Sequence, residues 1–175
     1  MKYSKRINNF FKEHNLYDEV MFKYLENHTD MIDYRDIDQR MLIGCAYAIN
    51  EKTSKVESFR ICIPFDIDDI TTLISIHEIV HGIIGYKHLN KKYKHDITVE
   101  ALSMLYEYIY IYEHPSDKLI KYGKYLDNMI NEFSDESYKF ALFAREELFM
   151  NYNKNYDKME KLTKKLKYKY RKENE

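Results

Sequence analysis

The 175-residue sequence has no excess of either charge: 28 basic residues face 29 acidic ones, a net charge near −1. Affinity for phosphate backbones comes from a surplus of basic groups, so no nucleic-acid partner is expected. No run reaches 18 apolar residues, and no apolar h-region follows Met1-Lys2-Tyr3-Ser4-Lys5-Arg6. Neither a membrane partner nor a cleaved export signal is therefore expected, and the expected location is cytoplasmic. Cysteine is scarce: Cys45 and Cys62 lie in strand-like runs, without metal-ligand spacing. They read as free core thiols, or as neighbours across a hairpin. Internal repeats and Gly- or Ser-rich linkers are absent too, so residues 1–175 are expected to form one domain. With 45% hydrophobic residues, that length is enough to bury a real core.

Against these absences stands one motif that specifies chemistry, His77-Glu78-Ile79-Val80-His81, inside an apolar run over residues 70–84. On a helix the histidines, four positions apart, sit about 40° from each other, so both imidazoles can reach one ion. That is the arrangement of a zinc hydrolase, in which one zinc ion acts as a Lewis acid and Glu78, one residue from the first ligand, serves as the base that takes a proton from water. Five-residue patterns also recur by chance, so the surroundings matter. Ile70, Leu73, Ile74, Ile76, Ile79, Val80, Ile83 and Ile84 cover most of the helix, and burying two imidazoles and a carboxylate among them is costly unless something pairs with them. The remaining stripe, Thr71, Ser75, Glu78, Gly82 and Gly85, reads as the floor of a cleft.

A third protein ligand is needed, and three candidates lie downstream. Glu100 opens a second helical pattern in which Glu100, Ser103, Met104 and Glu107 share a face. His88 follows His81 by seven positions, one off the spacing of the longer three-histidine pattern. His95 is available to a histidine-only site. Glu100 is the expected ligand, His88 and His95 the alternatives, and Glu107 is either an outer partner that orients a ligand histidine or an ordinary surface acid.

These residues resemble a family. The run Asp68-Asp69-Ile70-Thr71-Thr72-Leu73 leading into His77-Glu78, then Val99-Glu100 followed by Ser103 and Glu107, looks like the metal-binding core of the thimet oligopeptidase and oligoendopeptidase F family, over about residues 59–113. The resemblance implies a zincin-like core of gluzincin type, with His77, His81 and Glu100 binding zinc, Glu78 activating water, and a peptide or protein as substrate. Val80 stands where that family has glycine before the second histidine, and the family's later Gly- and Tyr-containing segment has no counterpart here.

Elsewhere, residues 5–14 and 16–27 read as short helices with His14 and His28 exposed at their ends, and residues 29–39 as an acidic loop with a turn of helix. Residues 41–49 and 56–65 read as an antiparallel hairpin, with Phe59, Ile61, Ile63 and Phe65 on its core face. Asp66, Asp68 and Asp69 suit the positive start of the histidine helix, and Asp96 is a candidate cap for the next one. Ser116-Asp117 and Ser134-Asp135 cap two further helices, the first running to about Phe133, and Arg145, Glu146 and Glu147 read as a solvated face. The Lys-rich tail from Lys154 reads as a solvated, fraying helix.

The expected architecture is α+β and predominantly α. It divides into N-terminal helices (1–39), a small antiparallel hairpin sheet (40–65) packed on the active-site helix, a metal-binding helix pair (66–113) and C-terminal helices (114–175). The expected function is zinc-dependent peptide hydrolysis; the alternative is a non-catalytic, zinc-stabilised binding or regulatory protein.

Overall fold

The structure, a computed structural model, describes residues 2–132 and 135–175. The expected helix end at Phe133 and cap at Ser134 lie outside the described residues. The described residues are mostly helical with one small sheet, an α+β arrangement dominated by α. They divide into two compact units, Met1–His95 and Asp96–Glu175. Among the described residues no helix is long and apolar enough to cross a membrane.

The first unit runs α1 (Lys5–Glu13), α2 (Glu19–Asn27), β1 (Thr29–Ile32), α3 (Ile37–Arg40), β2 (Gly44–Ile49), β3 (Val56–Pro64) and α4 (Asp69–Lys87). The expected hairpin forms, with Cys45 opposite Ile61 and Tyr47 opposite Phe59. The sheet is larger than a hairpin, however. β1 pairs parallel with β3 from Thr29↔Ile61 to Ile32↔Pro64, giving a mixed sheet of order β1-β3-β2. The acidic composition of residues 29–39 hid this strand. Its charges stay on the open face, where Arg60 grips Asp30 through two bonds of 2.6 Å, while Thr29 and Ile32 are buried.

β3 is the central strand and alternates as its pattern requires, with Val56, Phe59, Ile61 and Ile63 buried and Glu57 and Arg60 exposed. Phe65 departs from that expectation: it lies past the strand end and is half exposed. α4 covers the buried face. Its start is fixed by a reciprocal cap, Asp68 accepting from the Thr71 N–H at 2.8 Å while the Thr71 hydroxyl accepts from the Asp68 N–H at 3.0 Å. Asp66 ties this end to α1, accepting from Ser4, from the Thr72 hydroxyl at 2.5 Å and from Arg6 at 2.8 Å. His14, expected in solvent, is buried against the Phe10 ring at 4.6 Å, and His28 is half-buried, stacked on Tyr24 at 4.0 Å. Each histidine ends a helix where an aromatic one turn back supplies a flat apolar surface.

The second unit comprises α5 (Thr98–Glu113), α6 (Asp117–Glu132), α7 (Glu136–Met150) and α8 (Tyr156–Asn174). α5 packs against the other three, which accounts for burial on almost every side from Ala101 to Glu107. Asp96 accepts from the Thr98 N–H at 3.1 Å, capping α5 from one position further out than a standard cap. Two expectations are corrected. Arg145 is half-buried and paired with Asp127, and α8, helical from Tyr156 to Asn174, packs along one face instead of standing free in solvent. Tyr156, Met159, Thr163, Leu166 and Tyr170 recur at alternating steps of three and four and are all buried, so the lysines between them lie outside that stripe, most of them exposed and Lys167 half-buried where it pairs with Asp96 at 2.9 Å.

Candidate metal centre

His77, Glu78 and His81 lie midway along α4, all three half-buried. Each offers a ligand atom within 4.8 Å of the other two. The two imidazoles converge: Nε2 of His77 and Nε2 of His81 stand 3.2 Å apart, with ring centroids at 4.9 Å and planes at 48°. Two nitrogens each about 2.0–2.1 Å from one tetrahedral zinc ion would stand about 3.3 Å apart, so the pair fits a shared ion of that kind.

The sheet packs closely against this segment, and that contact corrects the reading of the non-apolar stripe. Thr71, Ser75, Gly82 and Gly85 do not line a cleft; they are buried, and the glycines are where helix and sheet touch. A Cβ on Gly82 would come within 2.4 Å of Ile61, and one on Gly85 within 2.8 Å of the Tyr47 ring and 3.0 Å of Phe59. From Gly82 to Gly85 the contact moves back along β3 from Ile61 to Phe59, so helix and strand run antiparallel. Glu78 of α4 and Cys45 of β2 therefore lie on the same side of the sheet, at the end of β2 and β3 nearest the start of α4. Burial, reinforced by the Glu78 carboxylate, pushes the Cys45 thiol far up, so it stays protonated. Cys45 and Cys62 are free thiols one register step apart, on opposite faces of the sheet.

Gly85 offers a test of this contact. Gly85→Ala gains about 1 kcal/mol of helix propensity but drives a methyl into two rings, an overpacking that costs about 1–3 kcal/mol. The expected result is a net loss of about 1 kcal/mol in the first unit, read as a lower urea midpoint, where a cleft-lining glycine would give a gain.

Tyr47 is the residue that the sequence did not reveal. Its hydroxyl donates to the backbone carbonyl of His81 at 2.5 Å, pinning β2 to the helix at the second histidine. The signal was its place opposite Phe59, which required the hairpin register. Val80, in the position where the resembled family has glycine, is fully buried.

The other sequence candidates are placed as follows. His88 caps the end of α4, its Nδ1 2.8 Å from the Ile84 carbonyl oxygen and its ring edge-on to Tyr93. His95 is exposed at the end of the first unit. Glu100 belongs to the second unit, half-buried in the first turn of α5. Glu107 is buried two turns further on, so it is not the surface acid of the simpler reading. Of the tyrosines on α5, Tyr106 and Tyr110 are core residues, and Tyr112 is exposed. Compared with family models, curated proteins and solved structures, the chain matches none.

Proposed function

We propose that this protein is a zinc-dependent peptidase in which His77 and His81 supply imidazole ligands, Glu100 supplies the third and Glu78 is the base. The observation that carries the reading is the convergence of the two Nε2 atoms at 3.2 Å on a half-buried stretch of helix. The downstream Glu100 pattern and its likeness to the oligopeptidase core support the choice of third ligand and of a peptide substrate. When bound, the ion supplies Lewis acidity to water and to the scissile carbonyl. Glu78 takes the water's proton and returns it to the leaving amine, so that no charged nitrogen anion has to leave. The Tyr47 bond and the glycine contacts hold the histidine segment in place before any ligand arrives, which spares the site that ordering cost.

The test is metal analysis of the protein purified without added metal, together with a peptide-cleavage assay. One zinc per chain is expected, with cleavage lost on chelation and restored by zinc. Glu100→Ala is expected to weaken zinc binding by about 100-fold or more, beyond the roughly 10–100-fold cost of removing an outer partner. Full zinc retention in that variant removes Glu100 from the ligand set and leaves the histidine pair standing. Stoichiometric zinc without cleavage of any peptide selects the zinc-stabilised binding module instead. Absence of zinc removes both readings.

A further inference from the structure

The second unit contains a cavity of about 440 Å³ among α5, α6 and α7, a size suited to a small organic molecule. Ile111 and Tyr112 of α5 and Phe149 of α7 form its apolar wall, with the Tyr112 and Phe149 rings edge to face at 5.4 Å. Asp127 of α6 and Arg145 and Glu146 of α7 line the same cavity, beside Tyr108.

Hydrogen bonding within this group is one-sided. The Tyr108 hydroxyl donates to Asp127 Oδ1 at 2.6 Å, and Arg145 Nη1 donates to the same oxygen and, at 3.4 Å, to the Tyr108 hydroxyl. Among the described residues, no donor reaches Asp127 Oδ2, no acceptor reaches Arg145 Nε or Nη2, and Glu146 makes no ion pair. What is left over is specific. The Nε–Nη2 edge of a guanidinium presents two parallel N–H groups that match the two oxygens of a carboxylate. Asp127 Oδ2 and the exposed Glu146 are acceptors suited to an ammonium group, and the aromatic wall accepts an apolar body and tolerates a nearby cation.

We propose that this cavity binds a free α-amino acid with a large apolar side chain. The carboxylate pairs with the Nε–Nη2 edge of Arg145, the ammonium with Asp127 Oδ2 and Glu146, and the side chain packs on Ile111, Tyr112 and Phe149. A simple amine or a simple organic acid would use only half of these groups. All of the residues belong to the second unit, so the proposal stands or falls apart from the zinc reading.

The experiment is isothermal titration of the full chain with L-phenylalanine, 2-phenylethylammonium and 3-phenylpropanoate. Saturable one-to-one binding of phenylalanine is expected, with each analogue about tenfold weaker or more, since each loses one charge-assisted contact. Glu146→Gln alters an exposed side chain and is expected to fold as the parent does, which circular dichroism checks. It is expected to weaken phenylalanine and 2-phenylethylammonium while leaving 3-phenylpropanoate unchanged. No saturable binding, analogues that bind as tightly as phenylalanine, or a Glu146→Gln variant with unaltered affinities would each overturn the proposal.

Discussion

Glu78→Gln is expected to keep one zinc ion per chain and to lose peptide cleavage by about 100- to 10,000-fold, the range in which a positioned general base contributes. The substitution preserves shape and hydrogen-bonding reach and removes only the capacity to take a proton, so it separates base from ligand. Helix geometry argues for the distinction. His77 and His81 face a common point through four-residue spacing, whereas Glu78 is rotated about 100° from His77 and lies toward the sheet end where Cys45 sits. A variant that sheds its zinc would place Glu78 among the ligands, and one that keeps full activity would overturn the proposal that Glu78 is the base. The measurement is zinc content and initial cleavage rate on the same preparation.

The architecture was legible wherever one residue pattern decided it. The apolar run over residues 70–84 could only be a buried helix, and the hairpin followed from alternation in β3 with a polar turn before it. The convergence of His77 and His81 was legible for the same reason, because four-residue spacing on a helix fixes two side chains without help from the rest of the chain. What stayed hidden depends on long-range contacts. β1 has four residues amid acidic neighbours and is a strand only because β3 lies beside it. The stripe of small residues was visible, but small residues serve equally for an open cleft and for close approach, and only Ile61, Tyr47 and Phe59 decide between them. Arg145 looked solvated because its partner, Asp127, is on another helix. Likewise, Tyr47 could not be connected to His81 while the register of β2 was open.

Phe59 and Phe65 were indistinguishable by alternation, and their truncation is expected to separate them sharply. Phe59 is 3% exposed, with ring centroids of Tyr24 at 5.6 Å and Tyr47 at 6.2 Å, and it lies directly beneath Gly85 of α4. Phe59→Ala would leave a void under the helix at a point where the glycine has no side chain to fill it. The expected loss is about 3–5 kcal/mol, the usual cost of emptying a buried aromatic position. Phe65 is 50% exposed beyond the end of β3, and Phe65→Ala is expected to stay within about 0.5 kcal/mol of the parent. Urea unfolding followed by circular dichroism, with amide exchange across α4 to assign the change to the first unit, measures both. In Phe59→Ala the Tyr47 ring also loses one of its two aromatic neighbours, Tyr93 remaining at 5.2 Å, so exchange should rise first around His81, whose carbonyl that tyrosine holds. Equal effects at the two positions would mean that the helix is not seated on the sheet at Gly85, and that the histidine segment takes its rigidity from somewhere else.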